Sequence, residues 1–163
     1  MSNYCIHVPD KLEYSDYSNI DDLVDFAYNI FLKDLYNRKL IYNDKPIYFF
    51  EKPIVDGLKQ GFYHCTTTKS EMRLGRTHDV YRLERINWIK PIIENVNCTE
   101  KDCSGIISWV DAFTNKTHIY MPDKRYLIVL IEKNNVYDFI TAFNVDGEPQ
   151  HRKLMSSYVK HKR

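Results

Sequence analysis

The 163-residue sequence lacks the signatures of several common protein classes. It contains no GxSxG nucleophile elbow, no phosphate-binding P-loop, no HExxH metal motif and no GxGxxG dinucleotide fingerprint. Few carboxylates cluster as a divalent-cation site would need. The sequence also has no apolar run long enough to span a bilayer and no basic-then-apolar N-terminal signal. We therefore expect a cytoplasmic protein that contacts no membrane and uses no cofactor.

The charge of the chain has no strong excess of either sign. It carries 23 basic and 22 acidic side chains, so the net charge of +1 does not indicate a polyanionic partner. The distribution is more informative, because residues 1–60 carry 10 acidic and 7 basic side chains, whereas residues 61–163 carry 12 acidic and 16 basic ones. The length and the hydrophobic fraction of 44% predict one folded domain.

Cysteine is scarce, and the four residues are Cys5, Cys65, Cys98 and Cys103. Thiols stay reduced in the cytosol, so a disulfide framework is not expected. The spacing Cys98-x4-Cys103 matches half of a zinc site, but the sequence shows no second CxxC or HxxxH half. We therefore expect two loop cysteines and no metal site.

One amphipathic helix is predicted in the first sixty residues. Apolar residues recur at helical spacing from Leu23 to Leu35, Ser18 or Asn19 can cap the helix, and two aspartates occupy its first turn. A polar arm precedes the helix, and turns with a short strand follow it. We expect the apolar stripe to pack on the protein's own sheet rather than in a partner's groove.

The second half of the chain changes from helical to alternating periodicity. Residues 79–95 are predicted to be helical in part, with Pro91 stopping or kinking the helix. Four short strands and a basic C-terminal helix follow, over residues 106–110, 117–121, 126–131, 137–143 and 152–160. The pattern predicts an α+β fold with helices packed on one curved antiparallel sheet of about four to five strands. Residues 1–60 would form the arm and helix, packed on a core of residues 61–163.

The segment GFYHCTTTKSEMRLGRTHDVYRLERINWIKPII, residues 61–93, contains the groups needed to bind and cleave a phosphodiester. Residues 62–66 predict a strand that ends in a threonine cluster, and a basic, glycine-broken stretch follows. The segment then supplies a histidine, two arginines three positions apart and two aromatic rings: His64, Arg82, Arg85, Tyr81 and Trp88.

Three stretches resemble the phage-associated branch of the Barnase–EndoU–colicin–RelE (BECR) ribonucleases. They are FYHCTTTKSE from residue 62, RxxRINWIKPII at residues 82–93 and RYLIVLIEKNNVYDFITAF at residues 125–143. The resemblance covers residues 60–160. It rests on the strand-ending histidine, the Arg-x-x-Arg-Ile-x-Trp block and the Thr-Ala pair in the last hairpin. It implies a BECR-like fold and a small metal-independent ribonuclease.

RNA cleavage by its own 2′-hydroxyl needs a base, an acid and positive charge around the phosphorane. His64 titrates near neutral pH and is predicted to be the general acid or base. Arg82 and Arg85 are predicted to clamp the phosphate, and Thr141 to donate a further hydrogen bond to it. Each residue also has an ordinary structural interpretation. His64 can be a core histidine, Arg82 and Arg85 can form a solvated helix face, and Thr141 can be a strand former.

Four further side chains are predicted to contact RNA outside the reacting group. Tyr81 and Trp88 can stack on bases, although Trp88 is better suited to the core. Lys90 and Lys153 can contact the RNA backbone, although a solvated helix also explains Lys153.

Alternatives remain open for both the proton carrier and the function. His78 and His118 are other candidate proton carriers. The first functional hypothesis is an endoribonuclease acting on tRNA or mRNA, such as a toxin with an antitoxin or immunity partner. The second is a non-catalytic protein that binds RNA or inhibits a host protein. Convergence of His64, Arg82, Arg85 and Thr141 on one pocket would favour the enzyme.

Overall fold

The computed structural model describes residues 7–69 and 75–161. The first six residues of the predicted arm, residues 70–74 of the basic stretch and the last two basic residues lie outside the described residues. Within the described ranges, the strands are β1 (Ile41–Tyr42), β2 (Lys45–Tyr48), β3 (Thr67–Lys69), β4 (Arg76–His78), β5 (Ile107–Val110), β6 (Lys116–Met121), β7 (Tyr126–Lys133) and β8 (Val136–Asn144). The helices are α1 (Ile20–Phe31), α2 (Gln60–Thr66), α3 (Val80–Glu84), α4 (Ile89–Glu94) and α5 (Glu148–His161).

The fold is α+β, as predicted, but its main sheet is larger and is mixed. Six strands pair in the order β1-β2-β8-β7-β6-β5 and curl strongly into a half-barrel, while β3 and β4 form a separate hairpin. The prediction of four to five antiparallel strands is wrong because β2 runs parallel to β8, pairing Ile47 with Tyr137. A parallel pair joins segments far apart in the chain, so no local pattern signals it. The predicted meander of β5 to β8 is confirmed.

The predicted first helix is confirmed as α1. Its N-cap is Asn19, whose side-chain Oδ1 accepts the backbone N–H of Asp22 at 3.0 Å. A π-helical turn, Leu32–Tyr36, extends it. The predicted C-terminal helix is confirmed as α5.

Residues 79–95 are helical in part, as predicted, but Pro91 does not end the helix. A 3₁₀ turn, Ile86–Trp88, separates α3 from α4, and Pro91 is the third residue of α4. The N–H groups of a helix's first turn have no intrahelical acceptor, so a proline is tolerated there.

The predicted strand over residues 62–66 is wrong, because these residues belong to helix α2. Phe62, Cys65 and Thr66 are buried at helical spacing, and the Thr66 hydroxyl donates to the Phe62 carbonyl at 2.8 Å. These residue types favour strands, but their packing in the fold makes them helical, because intrinsic secondary-structure preference is weaker than tertiary context.

The two faces of the sheet carry different helices. Helices α1 to α4 cover one face, where the largest buried side chains include Phe31, Phe62 and Leu83. Helix α5 covers the other face, and the Trp109 indole N–H donates to Ser157 Oγ at 2.9 Å. In the described part of the chain, no helix has the length and apolar character of a membrane span.

Candidate functional site

Two arginines converge on the C-terminal end of α2. Arg76 Nη2 donates to the Thr67 carbonyl at 2.6 Å and to the His64 carbonyl at 3.2 Å, and its Nε donates to Thr67 Oγ1 at 2.8 Å. Arg82 Nη1 lies 3.4 Å from the same Thr67 carbonyl. Carbonyls at a helix C-terminus carry partial negative charge and attract cations, so the end of α2 holds both guanidiniums.

His64 lies in the last turn of α2, beside these two guanidiniums. Burial lowers the pKa of its imidazole below the ordinary value, and the charges of Arg76 and Arg82 lower it further. Both effects favour the neutral form of the imidazole. A cavity of about 200 Å³ opens beside it, lined by Phe50, Gln60, Gly61, His64, Phe139 and Ile140.

Arg82 is positioned by two further residues. Asp79 caps α3 by accepting the Arg82 backbone N–H at 3.3 Å, and its Oδ2 lies 3.8 Å from Arg82 Nε. The Arg82 guanidinium also lies over the Phe143 ring of β8, 5.2 Å from the ring centroid. A guanidinium carries five N–H donors. In Arg76 and Arg82, the hydrogen bonds to described residues use only some of these donors.

Arg85 lies one turn further along and faces aromatic residues. Its guanidinium carbon lies 5.3 Å from the Trp88 ring centroid and 5.6 Å from that of Tyr81, and its Nη1 donates to the Tyr81 carbonyl at 3.0 Å. The charges of Arg82 and Arg85 both act on the buried Tyr126 hydroxyl, whose pKa burial raises. The two arginines therefore share one region but not one set of partners.

The predicted RNA-contacting side chains are dispersed. Tyr81 is 66% exposed, so its ring can receive a base. Trp88 is buried, and its indole N–H donates to the Pro9 carbonyl at 2.8 Å, which identifies it as a core residue. Lys90 pairs with Glu94 on α4 at 2.9 Å, and Lys153 is exposed on α5, across the sheet from α2.

Thr141 lies on β8 between two residues of the candidate site. Ile140 lines the cavity beside His64, and Phe143 lies under Arg82. Thr141 is registered with Val129, which packs in the cluster beneath α5. Cross-strand partners, and residues two positions apart on a strand, project from the same face, so the Thr141 side chain lies on the same face of β8 as Phe143, the ring under Arg82.

The other histidines and the neighbouring thiol have different environments. Burial lowers the pKa of His78, whose charged neighbours are the acidic Asp21 and Asp56. Burial likewise lowers the pKa of His118, which is the cross-strand partner of Val129 between β6 and β7. Burial raises the pKa of the Cys65 thiol to about 12, so it is not a thiolate nucleophile at neutral pH.

Arg76 belongs to the site but is not among the residues predicted from the sequence. It lies on β4, opposite Lys69 of β3, in a hairpin that was not predicted. The two short threonine-containing runs on either side of the glycine-broken stretch are the signal that could have identified the hairpin.

The structure therefore brings His64, Arg76 and Arg82 together, with Arg85 adjacent and Thr141 on the neighbouring strand. Comparison with known proteins found no match to any family model, curated protein or solved structure. The BECR resemblance accordingly remains a prediction from the sequence.

Proposed function

We propose that the protein is a metal-independent endoribonuclease. The observation that carries this proposal is the position of His64 in the last turn of α2, at the helix end where carbonyls accept hydrogen bonds from Arg76 and Arg82. A neutral base next to two permanent positive charges is the combination that attack by a 2′-hydroxyl on its own phosphodiester requires.

In the proposed reaction, His64 takes the proton of the 2′-hydroxyl as the 2′-oxygen bonds to phosphorus. The bond from phosphorus to the 5′-oxygen breaks, and that oxygen receives a proton from water. The products are a 2′,3′-cyclic phosphate and a 5′-hydroxyl end. Arg76 and Arg82 offset the charge that develops on the phosphorane oxygens, and Tyr81 stacks on a flanking base.

The substrate we propose is a single-stranded part of tRNA or mRNA, because its unstacked bases can reach an exposed ring such as Tyr81. An activity of this kind would arrest growth, which fits a toxin of phage–host conflict with an antitoxin or immunity partner. Toxicity of the wild type on expression, relieved by His64→Ala, is the corresponding expectation in cells.

The test is incubation of the full chain with total RNA, with and without a metal chelator. We expect wild type to generate 2′,3′-cyclic phosphate ends, and His64→Ala and Arg82→Met to lose at least about 100-fold in rate, as expected for a proton carrier and a phosphate clamp. His161→Ala and Arg152→Met, on α5, are matched controls that should retain activity. Equal inertness of wild type and all variants would refute the proposal.

A non-catalytic RNA-binding protein is the second candidate. It is favoured by the bonds that Arg76 and Arg82 make to the Thr67 carbonyl, since these give both arginines a structural role. RNA binding that weakens with salt and with Arg82→Met, without cleavage, would support it.

A further inference from the structure

Three side chains with metal-binding atoms meet away from the candidate site. A ring nitrogen of His7, Cys98 Sγ and Cys103 Sγ all lie within 4.8 Å of one another, and His7 Nε2 is 3.1 Å from Cys98 Sγ. His7 and Cys98 are 91 residues apart in the sequence, so only the fold brings them together. The fold therefore adds one ligand, His7, to the two cysteines of Cys98-x4-Cys103.

The arm that carries His7 is held in place by side chains of the 3₁₀ turn. The Trp88 indole N–H donates to the Pro9 carbonyl at 2.8 Å, and Asn87 Nδ2 donates to the Asp10 carbonyl at 3.0 Å. The His7 side chain is only 18% exposed. Its imidazole is therefore fixed against the loop rather than free in solvent.

The two ends of the loop that carries the cysteines are joined by a backbone hydrogen bond. The Asn97 N–H donates to the Ile106 carbonyl at 2.9 Å, and Asn97 and Gly105 adopt φ values of 64° and 100° at its two ends. Within the loop, the Glu100 N–H points at Cys98 Sγ from 3.5 Å. A backbone donor of this kind stabilises a thiolate ligand and orients it.

We propose that His7, Cys98 and Cys103 bind a zinc ion that joins the N-terminal arm to the loop of residues 97–106. Two thiolates and an imidazole form a soft ligand set that suits zinc. Tetrahedral zinc, with bonds of about 2.3 Å to sulfur and about 2.0 Å to nitrogen, separates its ligand atoms by about 3.5–3.8 Å. The separations within the cluster, from 3.1 Å to at most 4.8 Å, bracket this value, so small side-chain rotations complete the geometry.

A fourth ligand would close the site as a structural centre. Glu100 Oε2 lies 4.0 Å from His7 Nε2, so its carboxylate can approach the ion.

The first measurement is the zinc content of the full chain, purified under reducing conditions, followed by titration with Co²⁺ as a spectroscopic probe. We expect one equivalent of zinc, and with Co²⁺ the ligand-field bands of a tetrahedral site together with thiolate charge-transfer absorption. His7→Ala, Cys98→Ser and Cys103→Ser should each reduce zinc affinity at least about 10-fold, the loss typical of damage to a metal site. Glu100→Gln tests the fourth ligand, because loss of the carboxylate should weaken binding in the same assay.

Two controls separate metal binding from unfolding and from general thiol content. Ser104→Ala alters the same loop and Cys65→Ala removes a thiol elsewhere, and both should bind zinc like wild type. Circular dichroism shows whether each variant folds, and zinc should raise the melting temperature of wild type but not of Cys98→Ser. Equal zinc binding by wild type and Cys98→Ser, or a Cys98 disulfide that persists after purification under reducing conditions, would overturn the proposal.

This inference does not depend on the ribonuclease proposal. The RNA assay is therefore run on zinc-loaded and on chelated protein. Cleavage by both forms supports a structural ion, whereas inert protein that still binds zinc refutes only the ribonuclease.

Discussion

Replacing Arg76 tests the architecture of the candidate site without relying on its activity. Its guanidinium donates to Thr67 Oγ1 at 2.8 Å, to the Thr67 carbonyl at 2.6 Å and to the His64 carbonyl at 3.2 Å. A hydrogen bond from a charged donor contributes about 1.5–3 kcal/mol, but bonds from one group are not additive. We expect Arg76→Met to lower the free energy of unfolding by about 3 kcal/mol, which corresponds to a melting temperature lower by about 6–12 °C.

The same substitution should change the titration of His64. Burial lowers the pKa of this imidazole first and the charge of Arg76 second, so removing that charge should raise the pKa toward its ordinary value. Arg76→Lys keeps the charge but loses the forked geometry, so it should weaken stability and leave the His64 titration closer to wild type. Urea unfolding and NMR titration of the histidine Cε1–H signals measure the two effects.

The exposed Arg152 provides a matched control for the stability measurement. Its Nε lies 3.9 Å from Glu148 at the surface, so Arg152→Met should change the free energy of unfolding by less than about 0.5 kcal/mol. If Arg76→Met is as mild as this control, or if it leaves the His64 titration unchanged in a folded protein, the arrangement described at the end of α2 is incorrect.

Three further predictions concern residues other than Arg76 and His64. Alanine normally stabilises a helix relative to glycine, but a Cβ at Gly61 would lie 3.2 Å from the Phe50 carbonyl oxygen. Gly61→Ala should therefore lower the free energy of unfolding by about 1–2 kcal/mol, and a gain in stability to urea would contradict this packing. Glu84 is buried and accepts the Tyr14 N–H at 2.9 Å. Glu84→Gln should keep that hydrogen bond but lose the negative charge of the carboxylate, which should lower the free energy of unfolding by about 1–2 kcal/mol. An unchanged urea midpoint would contradict this prediction. Burial lowers the folded-state pKa of His118, so the unfolded chain binds more protons and stability falls as the pH drops below about 6.5. His118→Asn should reduce the loss of stability between pH 7.5 and pH 5.5 relative to wild type, and an identical slope would show that His118 does not contribute to it.

The amino-acid sequence by itself determined the elements whose signals are local. The apolar stripe and its Asn19 cap specify α1, and alternating apolar residues with short turns specify the meander of β5 to β8. His64 and Arg82 were also recognisable as candidates, because imidazole and guanidinium have a chemistry that does not depend on the fold.

The tertiary structure decided what depends on contacts between distant segments. It made residues 60–66 a helix, because burial of Phe62 and Cys65 outweighs their preference for strands, and it placed β2 parallel to β8. It also added Arg76 to His64 and brought His7 to Cys98, over 91 positions of the chain. Such pairings depend on the packing of the whole domain, which no window of neighbouring residues contains.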